Sequence, residues 1–345
     1  MVGTPRKRRL AVIGAGMAIP PHARSLRELA DRVEVAAVFS RERDKLDKVA
    51  AQFGFPVTDA LAPLLADPTI EAVMVLTPPS THLEVVERAA AAGKHVLLEK
   101  PVEVTLERAR RLVETAERAG ITLGVVLQHR FRPNALKLEA LIRSGALGAI
   151  AAASAAIRWW RPQSYYDEPG RGTKARDGGG VLLTQAIHSL DTFQNLAGSI
   201  REVTGFAATS ALHRMETEDI VCAGVRFANG ALGTIDATTA SHPGFPERLE
   251  LVGTRATAVL NGGELELYWQ DGRTERFEGE RLMGGGADPM AFSHAHHRAV
   301  LTDFLDALDQ ARAPKVSGRE ALGVHRLIDA LLRSSEIRAP VALEA

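Results

Sequence analysis

The sequence has one cysteine, no long apolar run and no excess of charge of either sign. Because Cys222 is the only thiol among 345 residues, an intramolecular disulfide or a cysteine-based zinc cluster is excluded, and we expect a reducing, cytoplasmic location. No apolar run approaches the ~18 residues of a membrane span. Lys and Arg total 42, as do Asp and Glu, whereas domains that bind nucleic acid are usually strongly basic. We therefore expect neither membrane nor nucleic acid as a partner.

The N-terminal region resembles an export signal only superficially. A basic run at 6–9 precedes the apolar stretch from Leu10 to Ile19, which is stopped by Pro20 and Pro21. We interpret this stretch as a first β-strand. Apolar residues make up 46% of the chain, which is enough to build a core, and the length predicts two domains.

The first 130 residues alternate short apolar runs with helical patterns. The runs lie at 9–13, 33–39, 71–76, 94–98 and 121–127. Apolar strands separated by helices of 10–15 residues predict βαβ units with right-handed crossovers. The fold class is therefore α/β, and we assign residues 1–130 to a dinucleotide-binding domain with a doubly wound parallel sheet.

From about residue 148 the pattern changes to successive strands. Asn229-Gly230, Gly262-Gly263 and Asp271-Gly272 provide the positive φ angles of tight hairpins. We expect 131–345 to form an α+β domain with a large, open, mostly antiparallel sheet. Helices predicted at 291–311 and 318–334 could pack back on the first domain.

A glycine loop follows the first predicted strand. Gly14 permits a tight turn, Gly16 allows the backbone to approach a pyrophosphate, and Met17 lies in the same loop. The next helix then directs its N-terminal N–H groups at the anion. The third fingerprint position holds Ile19 rather than glycine or alanine, so strand and helix pack less tightly there.

The end of the second strand indicates which dinucleotide is preferred. An acidic residue there would bind the 2′-hydroxyl of NAD, but this chain has Ser40 followed by Arg41. A hydroxyl and a guanidinium suit the 2′-phosphate of NADP. NADP is therefore favoured and NAD remains possible. The alternative is that Arg41 and Arg43 are solvated residues of the next helix.

Several motifs together resemble the Gfo/Idh/MocA oxidoreductase family, which includes glucose–fructose oxidoreductase and inositol dehydrogenase. They are the Gly-x-Gly loop, the segments at 77–82, 93–101 and 130–133, Gly178-Gly179-Gly180 with His188, and the segment at 303–307. The resemblance implies a Rossmann domain followed by an antiparallel-sheet domain. It also implies hydride transfer between NAD(P) and a hydroxyl or carbonyl carbon of a sugar or polyol.

The tripeptide Glu99-Lys100-Pro101 ends the strand at 94–98. Ligands of doubly wound sheets bind at the carboxyl ends of strands, and an ammonium there can stabilise an alkoxide. In the family the residue that matches Lys100 is catalytic. The resemblance further implies cofactor contacts for Thr77, His82, Glu99 and Lys100.

A second candidate group follows the three glycines. Thr184, His188 and Asp191 are spaced to share one helix face, and His188 is a candidate proton shuttle. Many family members have Asp where Thr184 stands. Either His188 works without a carboxylate and Lys100 shares the acid–base task, or a carboxylate such as Asp191 comes from elsewhere.

Other candidates carry less weight. The candidate substrate contacts are Arg130, Tyr166, Thr184 and Asp191. Tyr166 lies in a segment rich in Trp, Tyr and Arg that suits sugar binding, a core or an oligomer contact. His294, His296 and His297 lack the spacing of a zinc motif, so we predict no metal. His294 and His297 lie one helical turn apart and could border the pocket.

The sequence thus predicts an enzyme that transfers a hydride between a nicotinamide cofactor and a sugar-like alcohol or ketone. Two alternatives remain: an NAD-dependent glycosidase with no net redox change, and a regulator that only senses a dinucleotide. The broad sheet and the resemblance both predict a homo-oligomer, a dimer or tetramer, that assembles through the C-terminal sheet.

Overall fold

The computed structural model describes residues 7–279 and 293–343. The chain forms two compact units. The first contains the described residues up to Gln128 together with Ser293–Leu322, and the second contains the described residues from His129 to 279 together with 323–343. The helices are α1 (Ile19–Glu28), α2 (Arg43–Phe53), α3 (Leu61–Ala66), α4 (His82–Ala91), α5 (Leu106–Arg118), α6 (Pro133–Arg143), α7 (Gln163–Tyr166), α8 (Lys174–Asp177), α9 (Ile187–Ala197), α10 (Ala295–Asp309) and α11 (Gly318–Ile337).

The first unit is built on a six-stranded parallel sheet with the order β3-β2-β1-β4-β5-β6. This is the doubly wound Rossmann order. Its strands are β1 (Arg8–Ile13), β2 (Val33–Phe39), β3 (Val57–Thr58), β4 (Ala72–Val75), β5 (His95–Leu98) and β6 (Leu123–Val125).

The burial of this sheet explains its continuous apolar sequence. All four residues of β4 and the last four of β1 are buried, because helices of the unit cover both faces of a parallel sheet. Helix α5 shows the complementary pattern: Ala109, Leu112, Val113 and Ala116 are buried at helical spacing. The side chain of Thr105 accepts a hydrogen bond from the backbone N–H of Arg108 and caps that helix.

The second unit contains a nine-stranded sheet with the order β14-β13-β12-β11-β7-β10-β9-β8-β15. Every neighbouring pair is antiparallel except β7 and β10, which are parallel. The strands are β7 (Ile150–Arg158), β8 (Ile200–Ala208), β9 (Ile220–Phe227), β10 (Leu232–Thr238), β11 (Arg248–Gly253), β12 (Ala256–Asn261), β13 (Glu264–Trp269), β14 (Thr274–Phe277) and β15 (Val341–Ala342).

The two faces of this sheet differ. On β7 the alternate residues Ala153, Ala155 and Ile157 are buried on the side where α9 packs. On the opposite face Phe206 of β8 is 76% exposed and Leu232 of β10 is 55% exposed. The prediction of an α/β fold with a parallel sheet and a second, mostly antiparallel sheet is confirmed.

Seven of the helices and strands given above do not appear in the sequence prediction: the short strand β3, helix α3, helix α6, the one-turn helices α7 and α8, and strands β14 and β15. The first two lie between predicted elements in a segment without clear periodicity. Helix α6 begins at Pro133, whose fixed φ suits a first helical turn, so the proline was the available signal. The helix predicted from residue 291 begins at Ala295, and residues 291–292 lie outside the described residues.

None of the helices in the described part of the chain combines the length and the apolar composition that a bilayer crossing requires.

Candidate functional site

The glycine loop has the geometry of a phosphate cradle. Gly14 has a φ of +115°, and a Cβ there would lie 2.7 Å from the backbone carbonyl of Leu76. A Cβ on Gly16 would meet nothing within 4 Å, so that backbone is open to a ligand. Helix α1 begins at Ile19, which is 6% exposed. The loop and helix terminus therefore fit a dinucleotide pyrophosphate.

The end of β2 lies beside this loop, since the N–H of Gly14 donates to the carbonyl of Phe39. Ser40 is 8% exposed, and its hydroxyl accepts a hydrogen bond from the N–H of Glu42 at 3.2 Å. Arg41 is exposed. The residue that directly follows β2 is thus Ser40 rather than an acidic residue.

Thr77 lies two residues after β4, at the carboxyl edge of the same sheet, and its hydroxyl accepts from that of Thr81 at 2.9 Å. The imidazole of His82 is fully buried between two loops, 2.9 Å from the carbonyl oxygen of Thr77 and 3.0 Å from that of Pro101. Burial lowers the pKa of His82 and favours the neutral ring. A neutral ring donates to only one of these carbonyls, and the buried side chain packs between the Thr77 loop and the turn after Lys100.

Glu99 and Lys100 follow β5, and the Lys100–Pro101 peptide bond is cis. One carboxylate oxygen of Glu99 accepts a hydrogen bond from the backbone N–H of Lys100 at 2.9 Å. The other lies 2.8 Å from Nε2 of His22, which is 1% exposed. The carboxylate thus fixes the backbone at Lys100.

Burial acts to raise the pKa of Glu99, but the hydrogen bond from His22 and the charges of His22, His297 and Lys100 outweigh it and hold this pKa at about 2. The group is therefore ionised throughout the neutral range, and Nε2 of His22 is the donor. The pKa of His297 falls to about 3, chiefly through burial and then through the charge of His22. His297 therefore packs as a neutral ring, edge-on to His22 with centroids 5.1 Å apart.

Metal binding is possible at one group of side chains among the described residues. The ligand atoms of His22, Glu99 and His297 lie within 4.8 Å of one another. A metal would have to replace the His22–Glu99 hydrogen bond, which already stabilises the carboxylate. Of the other histidines considered, His294 lies 2.7 Å from a carboxylate oxygen of Glu28.

In the second unit, His188 lies on α9 directly after a π-helical turn, Leu182–Ala186. It is 7% exposed, and its ring lies against that of His129 with centroids 4.9 Å apart. Leu183, Ile187 and Leu190 are all buried, as predicted. The start of the π-turn is stabilised from the segment just before β9, because the carboxylate of Glu218 accepts from the N–H groups of Gly180 and Leu182.

Thr184 and Asp191, the candidate partners of His188, make hydrogen bonds to other residues. The hydroxyl of Thr184 donates to the carbonyl of Gly180 at 2.7 Å. Thr184 lies inside the π-turn, whereas His188 lies in the regular part of α9. Asp191 is 1% exposed and holds the Arg130 guanidinium through two hydrogen bonds of 2.7 and 2.6 Å. The carboxylate is thus engaged with Arg130.

Tyr166 is the buried last residue of α7, in the segment that follows β7. Its hydroxyl lies 2.7 Å from that of Thr239, and burial raises the pKa of Tyr166. Its ring packs 4.8 Å from that of His213, and Nδ1 of His213 lies 2.7 Å from Asp219. The segment is therefore anchored by buried polar contacts.

Sequence reasoning did not identify His22, His129 or Glu218. His22 had one available signal, its place on a buried face of α1. The other two become neighbours of the candidate residues only when α9 packs against the remainder of its unit.

Two models of one family match the chain. The model for the oxidoreductase family with an NAD-binding Rossmann fold matches residues 8–127, and the model for the GFO/IDH/MocA C-terminal domain matches residues 135–259. The chain is 28% identical to a myo-inositol 2-dehydrogenase of Thermotoga maritima over 97% of this chain and 98% of that protein. It is 26% identical to a D-apiose dehydrogenase of Paraburkholderia graminis over 97% and 89% of the two chains.

Solved structures share the fold over the full length. The WlbA dehydrogenase from Bordetella pertussis, in complex with NADH and UDP-GlcNAcA, superposes with a TM-score of 0.85 and 27% identity over 99% of this chain and 100% of that one. The family models, the relatives and the Rossmann sheet with its glycine loop agree. This chain belongs to the GFO/IDH/MocA family of NAD-binding oxidoreductases.

Proposed function

We propose that this enzyme interconverts a hydroxyl and a carbonyl group on a sugar, polyol or related small molecule, with Lys100 holding the reacting oxygen and His188 exchanging its proton. The nicotinamide cofactor, when bound, accepts or donates the hydride. The names of the relatives, which include inositol and apiose dehydrogenases, support this class of substrate.

The observation that carries the proposal is the anchoring of Lys100. Its backbone N–H is bound by the carboxylate of Glu99, which is itself held by His22. The ammonium therefore extends from a fixed point at the carboxyl end of β5, where parallel sheets bind ligands. A preorganised cation stabilises negative charge on an alkoxide oxygen as it develops.

His188 suits proton exchange for two reasons. Imidazole is the side chain whose protonation ordinarily changes near neutral pH. It also lies on α9, which together with the preceding π-turn buries Leu183, Ile187 and Leu190, so the ring is carried on a rigid element. Many family members have an aspartate at the position of Thr184. In this chain the threonine hydroxyl there donates to the carbonyl of Gly180.

For the cofactor we propose a preference for NADP(H) over NAD(H). Ser40 and the exposed Arg41 occupy the end of β2, where a 2′-phosphate would lie, and guanidinium forms strong charge-assisted bonds with phosphate. Arginine is suited to this contact because its donors form a planar fork.

We further propose that the enzyme is a cytoplasmic homo-oligomer whose second copy covers the open face of the nine-stranded sheet. Phe206 and Leu232 are exposed on that face, and Cys222 on β9 is exposed as a free thiol. Sedimentation velocity at micromolar concentration checks the assembly, and a purely monomeric profile would contradict it.

The role of Lys100 is tested by Lys100→Met, with Lys48→Met on the exposed side of α2 as the matched control. We expect turnover to fall at least ~100-fold in the first variant, the usual scale for loss of charge stabilisation or proton transfer, and to stay unchanged in the control. The assay follows the absorbance of the reduced nicotinamide, while calorimetry confirms that dinucleotide binding persists.

Near-normal turnover in Lys100→Met would remove Lys100 from the mechanism. The same assay separates the alternatives, because a glycosidase without net redox would consume substrate with no change in absorbance. A dinucleotide sensor would bind the cofactor and turn over no sugar or polyol.

A further inference from the structure

A stack of two arginines and a tyrosine lies in the loop after β7, in the second unit. The guanidinium carbon of Arg171 lies 4.0 Å from the ring centroid of Tyr165, and that of Arg161 lies 5.7 Å from the same ring. Arg161 also lies 5.7 Å from the ring of Trp159. The two arginines are 3% and 8% exposed. We call Arg161, Tyr165 and Arg171 the guanidinium stack.

Two buried cations this close together are costly. Burial is the largest influence on Arg161 and lowers its pKa, and the charge of Arg171 acts in the same direction, against the opposing effects of Tyr165 and Tyr166. Aromatic faces compensate a cation only in part. Arg171 also pairs with Glu168 at 2.7 Å, but that carboxylate is half exposed, and exposed partners contribute little.

One acceptor beside Arg161 is a neutral oxygen, because its guanidinium donates to the backbone carbonyl of Trp160 at 2.7 Å. An anion placed against the stack would therefore be attracted by both guanidinium groups. Guanidinium forms planar pairs of hydrogen bonds with carboxylate and phosphate, so the geometry of the side chains suits those two anions.

The stack lies against the segment that carries His188. The amide nitrogen of Gln185 lies 3.5 Å from the hydroxyl of Tyr165, and the amide oxygen of Gln185 lies next to the hydroxyl of Thr184. Both belong to the π-turn that leads directly into α9. A ligand bound at the stack would therefore lie beside the start of the helix that holds the candidate proton donor.

We propose that the guanidinium stack binds an anionic group of the substrate, so that the enzyme acts on acid sugars, which carry a carboxylate or a phosphate, rather than on neutral ones. This inference rests on the proposed function and narrows its substrate class. The anionic group fixes the sugar through Arg161 and Arg171, while the reacting carbon lies elsewhere on the same molecule.

The test compares matched sugars that differ only in the anionic group. D-glucose, D-glucuronate and D-glucose 6-phosphate, with the corresponding galactose series, are assayed for formation of reduced nicotinamide and titrated into the dinucleotide-loaded enzyme by calorimetry. We expect kcat/KM and affinity to be at least ~10-fold higher for one acid class, since a hydrogen bond to a charged group contributes ~10–150-fold. Comparison of the uronate with the sugar phosphate identifies which anion is bound.

The variants Arg161→Gln and Arg171→Gln should each reduce kcat/KM and affinity for the preferred acid at least ~10-fold while leaving the neutral sugar nearly unchanged. Arg214→Gln is the control, since Arg214 is 82% exposed in the same unit. If one variant fails to fold, the other and the wild-type comparison of acid with neutral sugars still decide the matter.

The outcomes separate this inference from the proposed function. Turnover of neutral sugars at least as fast as acids, or equal losses for both in the arginine variants, overturns the anion site and leaves the dehydrogenase intact. Saturable acid-sugar binding that Arg161→Gln abolishes, without any nicotinamide reduction, supports the anion site and removes the dehydrogenase. Absence of both acid-sugar binding and acid-sugar turnover overturns the anion site.

Discussion

Replacing Glu99 by glutamine should cost stability at neutral pH and progressively less in acid. The change keeps the volume of the side chain and an oxygen that can accept from the N–H of Lys100, but it removes the charge that faces His22. In the wild type these neighbours hold the pKa of Glu99 at about 2 against an ordinary value of 4.5. At about 1.4 kcal/mol per pKa unit, the ionised carboxylate contributes about 3 kcal/mol to folding.

The sign of the pH dependence follows from the lowered pKa. A carboxylate with a lower pKa in the folded state contributes its full stability above pH 4.5 and loses it as the pH falls towards 2. We therefore expect Glu99→Gln to lower the free energy of unfolding by about 3 kcal/mol at pH 7, and the difference from wild type to shrink to about 1 kcal/mol at pH 3.

Denaturant unfolding curves of both proteins, measured between pH 7 and pH 3, provide this difference directly. The matched control is Glu114→Gln, because Glu114 pairs with Arg118 at 3.8 Å and both side chains are exposed. Such a pair contributes at most ~1 kcal/mol. A difference between wild type and Glu99→Gln that stays constant with pH would refute the electrostatic reasoning, even if the variant were less stable.

Two further predictions concern the cofactor and the helix that carries His188. Arg41→Ala should weaken the binding of NADPH ~10-fold or more and leave the binding of NADH nearly unchanged, because a lost charge-assisted hydrogen bond costs roughly 1.5–3 kcal/mol. Fluorescence titration of both dinucleotides measures the two affinities, with Arg43→Ala as the control. Equal losses of affinity for both would argue against a 2′-phosphate contact. Asp191→Asn should lower the free energy of unfolding by ~3–5 kcal/mol, since it leaves the buried Arg130 cation facing an amide in place of a carboxylate. Thermal unfolding checks the second variant, and a loss below ~1 kcal/mol would mean that this ion pair contributes little.

The sequence pattern was sufficient to predict elements whose buried residues recur regularly along the chain. The apolar runs of β1, β2 and β5 predicted a parallel sheet because both faces of such strands are buried. The Gly-x-Gly loop could be located because Gly14 has a φ of +115° that other residues rarely adopt. The turn at Asn229-Gly230 likewise located the hairpin between β9 and β10.

The sequence pattern could not predict very short elements, or the contacts of residues whose neighbours come from distant segments of the chain. Helix α3 and strand β3 are too short to show periodicity. The π-turn before α9 was not predicted, because a π-turn changes the number of residues per turn and has no sequence signal of its own here. Asp191 was a candidate partner of His188, yet its carboxylate binds Arg130, from a segment 61 residues away.

The sequence by itself determined the fold class, the loop that receives a dinucleotide and the candidate roles of Lys100 and His188, since each depends on local periodicity, on backbone freedom or on a motif contiguous in the chain. Tertiary structure alone decided that Glu99 is held by His22, and that Arg161 and Arg171 lie against one tyrosine ring. Charge and burial depend on atoms brought together from separate parts of the chain, and no spacing in the sequence records those contacts.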